Sequence, residues 1–282
     1  MTSEISILDT EGIAFQTVRP SERKNFPSPD SHGRLLAIGD IHGHLGPLKE
    51  LLQQVGPTQE DRIVFLGDYI DRGPDSCGVI DYLLGFQKHY PNTIFLRGNH
   101  EQVLSDALLY RQLNGASPLT EQDKVRQSEL ENRLWYEGFF SLYEAERLFF
   151  QIGGKATLQS YGGSFDNIPS QHLEFLNSLS LAHMENPVLW DASGRYCLFV
   201  HAGVRPRKNP NQQREMDLLW LLHEDFEDPD IFPDIQIIHG HKIYEEPQFL
   251  THRIGLDTGA GEGKKLTCCE VLTRRVWQEY TV

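Results

Sequence analysis

RLLAIGDIHGH, residues 34–44, is the stretch from which the fold is read. Four apolar residues, Leu35 to Ile38, run into Gly39 and Asp40 and then into a cluster of glycine and histidine. A short apolar run closed by a turn signal is the mark of a buried strand. The same phrase returns twice, as RIVFLGD at 62–68 and TIFLRGN at 93–99. Between these runs, Leu45–Val55, SCGVIDYLLGFQ (76–87) and residues 101–113 carry helical spacing. Strands that alternate with helical segments predict βαβ units, a mostly parallel sheet and the α/β class.

Working outward, residues 1–33 read as an irregular lead-in broken by Pro20, Pro27 and Pro29, and residues 34–282 as a single domain. Residues 114–190 are rich in Glu, Gln, Leu and aromatics, with helical spacing at 121–135 and 172–180. They are expected to form a mainly helical insertion, with GFFSLYEAERLFF (138–150) as its core. Strands then resume in RYCLFVHAG (195–203), IQIIHGH (235–241), RIGLDTG (253–259), KLTCCEVLT (265–273) and RRVWQEY (274–280), the last two as an antiparallel pair.

A net charge of −14 over 282 residues argues against a nucleic-acid groove, since a polyanion calls for a basic face. No apolar run approaches the ~20 residues of a membrane span, and the first thirty lack the basic start and apolar stretch of a signal peptide. Cys77, Cys197, Cys268 and Cys269 form no C-x-x-C pattern, so a reducing, cytoplasmic home is expected. Nothing in the sequence sets an oligomeric state.

The polar clusters carry the chemistry. GDIHGH (39–44), GDYIDRG (67–73), GNHE (98–101), HAG (201–203) and HGH (239–241) each follow an apolar run. In open α/β sheets, catalytic groups collect outside the carboxyl ends of strands. Asp40, Asp68, Asn99 and His201 are therefore placed to converge. Carboxylate oxygen, amide oxygen and imidazole together suit Mn²⁺, Fe or Zn²⁺ better than Ca²⁺ or a thiolate site. His239 and His241 are two apart and share a strand face, so spacing does not choose between them. Single clusters of this kind are ordinary turn chemistry. Five in order point to two adjacent metal ions acting on a phosphate ester.

In that order, GDIHG, GDYIDRG, GNHE, HAG and GH, the chain resembles the phosphoprotein phosphatase branch of the calcineurin-like metallophosphoesterases over about residues 34–273. HAGVRP (201–206), DLLW (217–220) and LDTGA (256–260) are most similar to small bacterial and phage serine/threonine phosphatases. The resemblance implies a sandwich of mixed β-sheets flanked by helices. It implies two divalent cations, Mn²⁺ first with Fe or Zn²⁺ as alternatives, roughly 3.5–4 Å apart. Asp40 and His42 would hold the first, Asp68 would bridge, and Asn99, His201 and a late histidine would hold the second. The family's late ligand follows a glycine, which selects His241.

The same resemblance implies direct attack by a metal-bridging hydroxide on a phosphomonoester, phosphoserine or phosphothreonine in proteins or a small phosphoester. His100 would protonate the leaving group, Asp71 would orient and charge that imidazole, and Arg72 would clamp the phosphate. Where relatives carry a second phosphate-binding arginine after the DLLW segment, this chain reads DLLWLLHEDF (217–226). Arg205 is the nearest substitute and His223 a weaker one. Two other functions compete: a diadenosine tetraphosphate hydrolase using the same centre, and a non-catalytic, metal-stabilised binding protein. The His100–Asp71 pair disfavours the last. His44, His239, Asp257 and Thr258 are expected to be structural, and Tyr161–Gly163 a turn at the rim.

Overall fold

Leu35–Ile38, the first strand (β1), is buried at every residue because its two faces meet different layers. Leu35 and Ala37 join Val64, Leu66, Phe199, Ile238, Ile254 and Leu256 in a core between two sheets. Leu36 and Ile38 join Ile63 and Phe65 beneath the helices. Side chains alternate across a strand, so one apolar run can serve both layers. This computed structural model describes residues 33–116, 118–136, 142–185, 195–206, 208, 212–221, 232 and 234–281. Nearly all of the expected lead-in, the acidic loop at 223–230 and His223 lie outside the described residues.

The first sheet has the order β10-β9-β1-β2-β3. β2 (Arg62–Phe65) and β3 (Thr93–Phe95) run parallel to β1, and β9 (Lys265–Glu270) and β10 (Arg275–Tyr280) form the expected antiparallel pair. The second sheet has the order β4-β5-β6-β8-β7. Its β5 (Tyr196–Val200), β6 (Ile235–His239) and β8 (Arg253–Gly255) are parallel; β4 (Ala182–Glu185) and β7 (Gln248–Phe249) pair antiparallel at its edges. The fold is the sandwich of two mixed sheets that the resemblance implies, and not the one mostly parallel sheet that the strand–helix alternation predicts.

Helix α1 (Leu45–Val55) buries Leu48, Leu51, Leu52 and Val55, the spacing of one helical face, and stops at Gly56 in the left-handed conformation. α2 (Ser76–His89) is capped by Asp75, whose carboxylate accepts the Gly78 N–H at 2.8 Å. α3 (Asn99–Gly115) takes Asn99 and His100 into its first turn instead of leaving them on the preceding strand. Helices α4 (Glu121–Tyr136), α5 (Tyr143–Gln151), α6 (Gly154–Ser160) and α7 (Ser170–Ser178) follow. α5 packs along α3, α6 against α2. α4 is tied to α3 by Arg133, whose Nη2 donates to Asp106 at 2.7 Å. β4 falls inside the stretch expected to be helical; its AHME sequence lacks the β-branched residues that announce a strand. A short α8 (Glu215–Trp220) and β7 were not foreseen. No helix among the described residues is long and apolar enough to cross a membrane.

Phe199 is fully buried in the layer between the sheets. Phe199→Ala should cost about 3–5 kcal/mol of stability, measured by urea unfolding against the parent chain.

Candidate metal centre

The loops that leave β1, β2 and β6 share one backbone property. His42, Asp68, Asp71, Arg72 and His241 all have positive φ, between 48° and 71°. The left-handed region is uncommon for non-glycine residues and persists only where surrounding contacts hold it. Here the contacts are visible. The Asp68 carbonyl accepts the N–H groups of Ile41 and His42 at 2.9 and 2.8 Å, pinning the first loop to the second. Glu101, buried at the start of α3, accepts the N–H groups of Asp68, Tyr69, Ile70 and Gly98 at 2.9, 2.8, 3.3 and 2.9 Å.

These loops bring the expected ligands together. His42 Nε2 lies 3.6 Å from Asp68 Oδ2, and His201 Nε2 lies 3.4 Å from Asp68 Oδ1. His201 Nε2 also meets Asn99 Oδ1 at 2.9 Å. Asp40 accepts the His241 N–H at 3.2 and 3.1 Å. Each imidazole is aimed from behind: His42 Nδ1 is hydrogen-bonded to the Ile70 carbonyl at 2.9 Å and His201 Nδ1 to the Leu66 carbonyl at 2.8 Å, which turns both Nε2 atoms toward Asp68. Potential ligand atoms of His42, Asp68 and His100 lie within 4.8 Å of one another, and so do those of Asp68, His201 and His241. Asp68 belongs to both sets. His239 is held elsewhere, by the Gly240 carbonyl and Arg253.

Three observations fit divalent cations to this cluster. His241 Nε2 is buried with no hydrogen-bond partner. Burial, then Asp257 and Asp68, drives the Asp40 pKa well above its ordinary value, and burial, then Glu101, does the same to Asp68. Burial keeps His42 and His201 well below theirs and His241 near 4, so the rings are neutral and their lone pairs available. Packed acids that oppose one another's ionisation beside neutral imidazoles are relieved by cations among them. Space is also reserved: a Cβ on Gly98 would lie 2.0 Å from Asp68 Oδ1, and one on Gly240 would lie 2.1 Å from Asp40 Oδ1.

His100 sits at the edge of the cluster, its Nδ1 2.7 Å from Asp71 Oδ2 and its Nε2 3.8 Å from Asp68 Oδ2. Arg72 Nη2 is 3.3 Å from the same Nε2. Burial first, then Arg72, holds the His100 pKa well down, while burial pushes Asp71 up to about 7. Asp71 Oδ2 thus faces the Nδ1 of a ring that burial keeps neutral. Arg205 donates from Nε to Asp217 of α8 at 2.7 Å, and its N–H meets Gln213. Asp257 is buried beside Asp40, accepting the Gly259 N–H at 2.9 Å. Sequence reasoning passed over Glu101 although it stands inside the quoted GNHE; its signal was a glutamate three residues after a glycine at a helix start.

Residues 33–254 match the family model described as calcineurin-like phosphoesterase. The asymmetrical bis(5'-nucleosyl)-tetraphosphatase PrpE of Bacillus thuringiensis (strain Al Hakam) is 25% identical over 242 residues, covering 82% of this chain and 87% of the relative. PrpE of Bacillus cereus (strain AH187) gives the same values. A crystal structure of a chain assigned as a diadenosine tetraphosphatase superposes with a TM-score of 0.56 at 20% identity, covering 90% of this chain and 96% of that one. A serine/threonine phosphatase from Saccharomyces cerevisiae with similarity to human phosphatase PP5 superposes at 0.53 and 15% identity, covering 90% and 81%. At these identities the two structures speak for the fold alone.

Two outcomes are expected. Gly98→Ala should weaken cation binding by about 10–100-fold, read by calorimetric titration with Mn²⁺. Burial raises Asp71 and Glu101 to about 7, and Asp40 and Asp68 also upward, so the fold binds more protons than the unfolded chain above pH 6.5. The depressed histidines act in the other direction, but below their unfolded pKa of about 6.5. Chelator-treated protein should therefore lose stability from about pH 6.5 to 8, and saturating Mn²⁺ should abolish that slope in urea unfolding.

Proposed function

The chain belongs to the calcineurin-like phosphoesterase family, and we propose that it hydrolyses phosphomonoesters, with phosphoserine and phosphothreonine of proteins as its substrate class. The carrying observation is the His100–Asp71 contact of 2.7 Å, which turns Nε2 toward the Asp68 cluster. An acid there matters most when an alkoxide must leave, as from a seryl or threonyl phosphate; a nucleotide's phosphate already departs as a stable anion.

Asp40 and His42 are assigned to one cation, Asn99, His201 and His241 to the other, and Asp68 to both, with Mn²⁺ as the first candidate metal and Fe or Zn²⁺ next. Such cations supply Lewis acidity, neutralising phosphoryl oxygens and making a water acidic enough to attack at neutral pH. The remaining roles fall to side chains. Arg72, 3.3 Å from His100 Nε2, meets the phosphate with a planar fork and holds it beside the acid. An arriving dianion offsets the cost that Arg72 places on protonating His100. Arg205, steadied by Asp217, is the second candidate clamp. Four cysteines that form no disulfide suit a reducing compartment, the cytoplasm.

A second reading, hydrolysis of dinucleoside tetraphosphates, is favoured by the similarity to PrpE and by a cleft of about 710 Å³ lined by Tyr244, Thr258, Lys264, Lys265 and Tyr280. Thr258 neighbours Asp257 in the chain, and two tyrosines suit a nucleobase. Parallel assays of Mn²⁺-loaded protein on phosphopeptides and on diadenosine tetraphosphate separate the readings: a clear preference for the dinucleotide replaces the first with the second. His100→Asn should lower kcat on phosphopeptide by about 10²–10⁴-fold with metal content unchanged.

A further inference from the structure

We propose that Thr157, on α6 of the insertion, is a positioning residue for the leaving-group acid, acting through Asp71. The inference rests on the reading of His100 as that acid. Thr157, Ser76 and Asp71 are all fully buried. Thr157 Oγ1 donates to Asp71 Oδ1 at 2.6 Å and accepts the Asp71 N–H at 2.8 Å. Ser76 Oγ lies 2.9 Å from Thr157 Oγ1 and itself takes the Asp71 N–H at 3.1 Å.

Hydrogen counting fixes the direction of this network. A carboxylate oxygen only accepts, so the single hydroxyl hydrogen of Thr157 goes to Asp71 Oδ1. The Ser76 hydroxyl then donates to Thr157, whose two lone pairs are filled by Ser76 and the Asp71 N–H. With Oδ1 engaged from behind, Oδ2 is left facing His100 Nδ1 at 2.7 Å. An acceptor at that nitrogen places the ring N–H on Nδ1 and presents Nε2 to the site. Asp71 also needs holding as backbone, because its φ is +71°. One hydroxyl from a different part of the chain restrains both its main chain and its carboxylate. The segment just before α6 braces the next residue: Arg72 N–H donates to the Gly153 carbonyl at 3.3 Å and Arg72 Nε to that of Ile152 at 3.4 Å.

The test uses leaving-group dependence, which general damage to the fold does not change selectively. Thr157→Val should lower kcat for phenyl phosphate by about 10–100-fold and for 2,4-dinitrophenyl phosphate by less than about 3-fold, with KM and Mn²⁺ content near those of the parent; Thr157→Ser should restore both rates. Should the Val methyl against the carboxylate prevent folding, Thr157→Ala carries the same comparison without it. Equal losses on both substrates, or no loss on phenyl phosphate, would overturn the proposal. His100→Asn run alongside keeps the two ideas apart. If it shows no leaving-group bias, the acid assignment fails; if it does and the Thr157 variants do not, only the positioning role fails.

Discussion

The Asp68 carboxylate is the constraint on which this architecture turns. Its oxygens stand 3.4 Å from His201 and 3.6 Å from His42, histidines that follow strands of different sheets. To put one side chain there, the chain must leave β2 in a left-handed conformation and be caught at once. Glu101 does the catching, gathering four N–H groups onto one carboxylate, so a helix start organises a loop that precedes it by some thirty residues. Cations bound among them would offset the burial that penalises such acids.

Second in importance is the aiming of the imidazoles. Ile70 and Leu66 carbonyls fix the His42 and His201 rings, and both carbonyls belong to the loop that carries Asp68. One short segment, residues 66–70, thus carries both the Asp68 carboxylate and the carbonyls that aim the two rings toward it. Because Gly98 and Gly240 press directly on carboxylate oxygens, the cluster leaves no room for a methyl group at either place. The His100 ring follows the same logic, with its orientation set by Asp71 and, behind it, by Thr157 on a helix of the insertion.

Much of this was legible in the chain itself. The strand–loop–helix rhythm of residues 34–113 is strong because fully buried strands are apolar throughout and helix faces repeat regularly; the observed β1, α1, β2 and α2 start within a residue of expectation. What the sequence left hidden depends on pairing between distant segments. The two-sheet sandwich was implied by the family resemblance, but the docking of β9 beside β1, a partnership of residues some 230 apart, is encoded by no local pattern. AHME joined β5 as an edge strand through register alone. At the site, spacing did not choose between His239 and His241 and the resemblance to a family did, while Thr157 was silent because a threonine in a polar helix announces nothing. Asp71 and His100 were visible as motif residues, yet the effect of Arg72 on the ring required three-dimensional proximity.

The His241 N–H bond to Asp40 joins residues 201 positions apart, and the His201 bond to Leu66 spans 135. Contacts of such separation close late, after the nearer ones have removed most of the chain's freedom. A half-formed chain therefore has neither contact in place, whereas the completed topology has both. Divalent ions in the surrounding medium would then select the finished state by mass action, acting as an inspector of assembly before any substrate arrives.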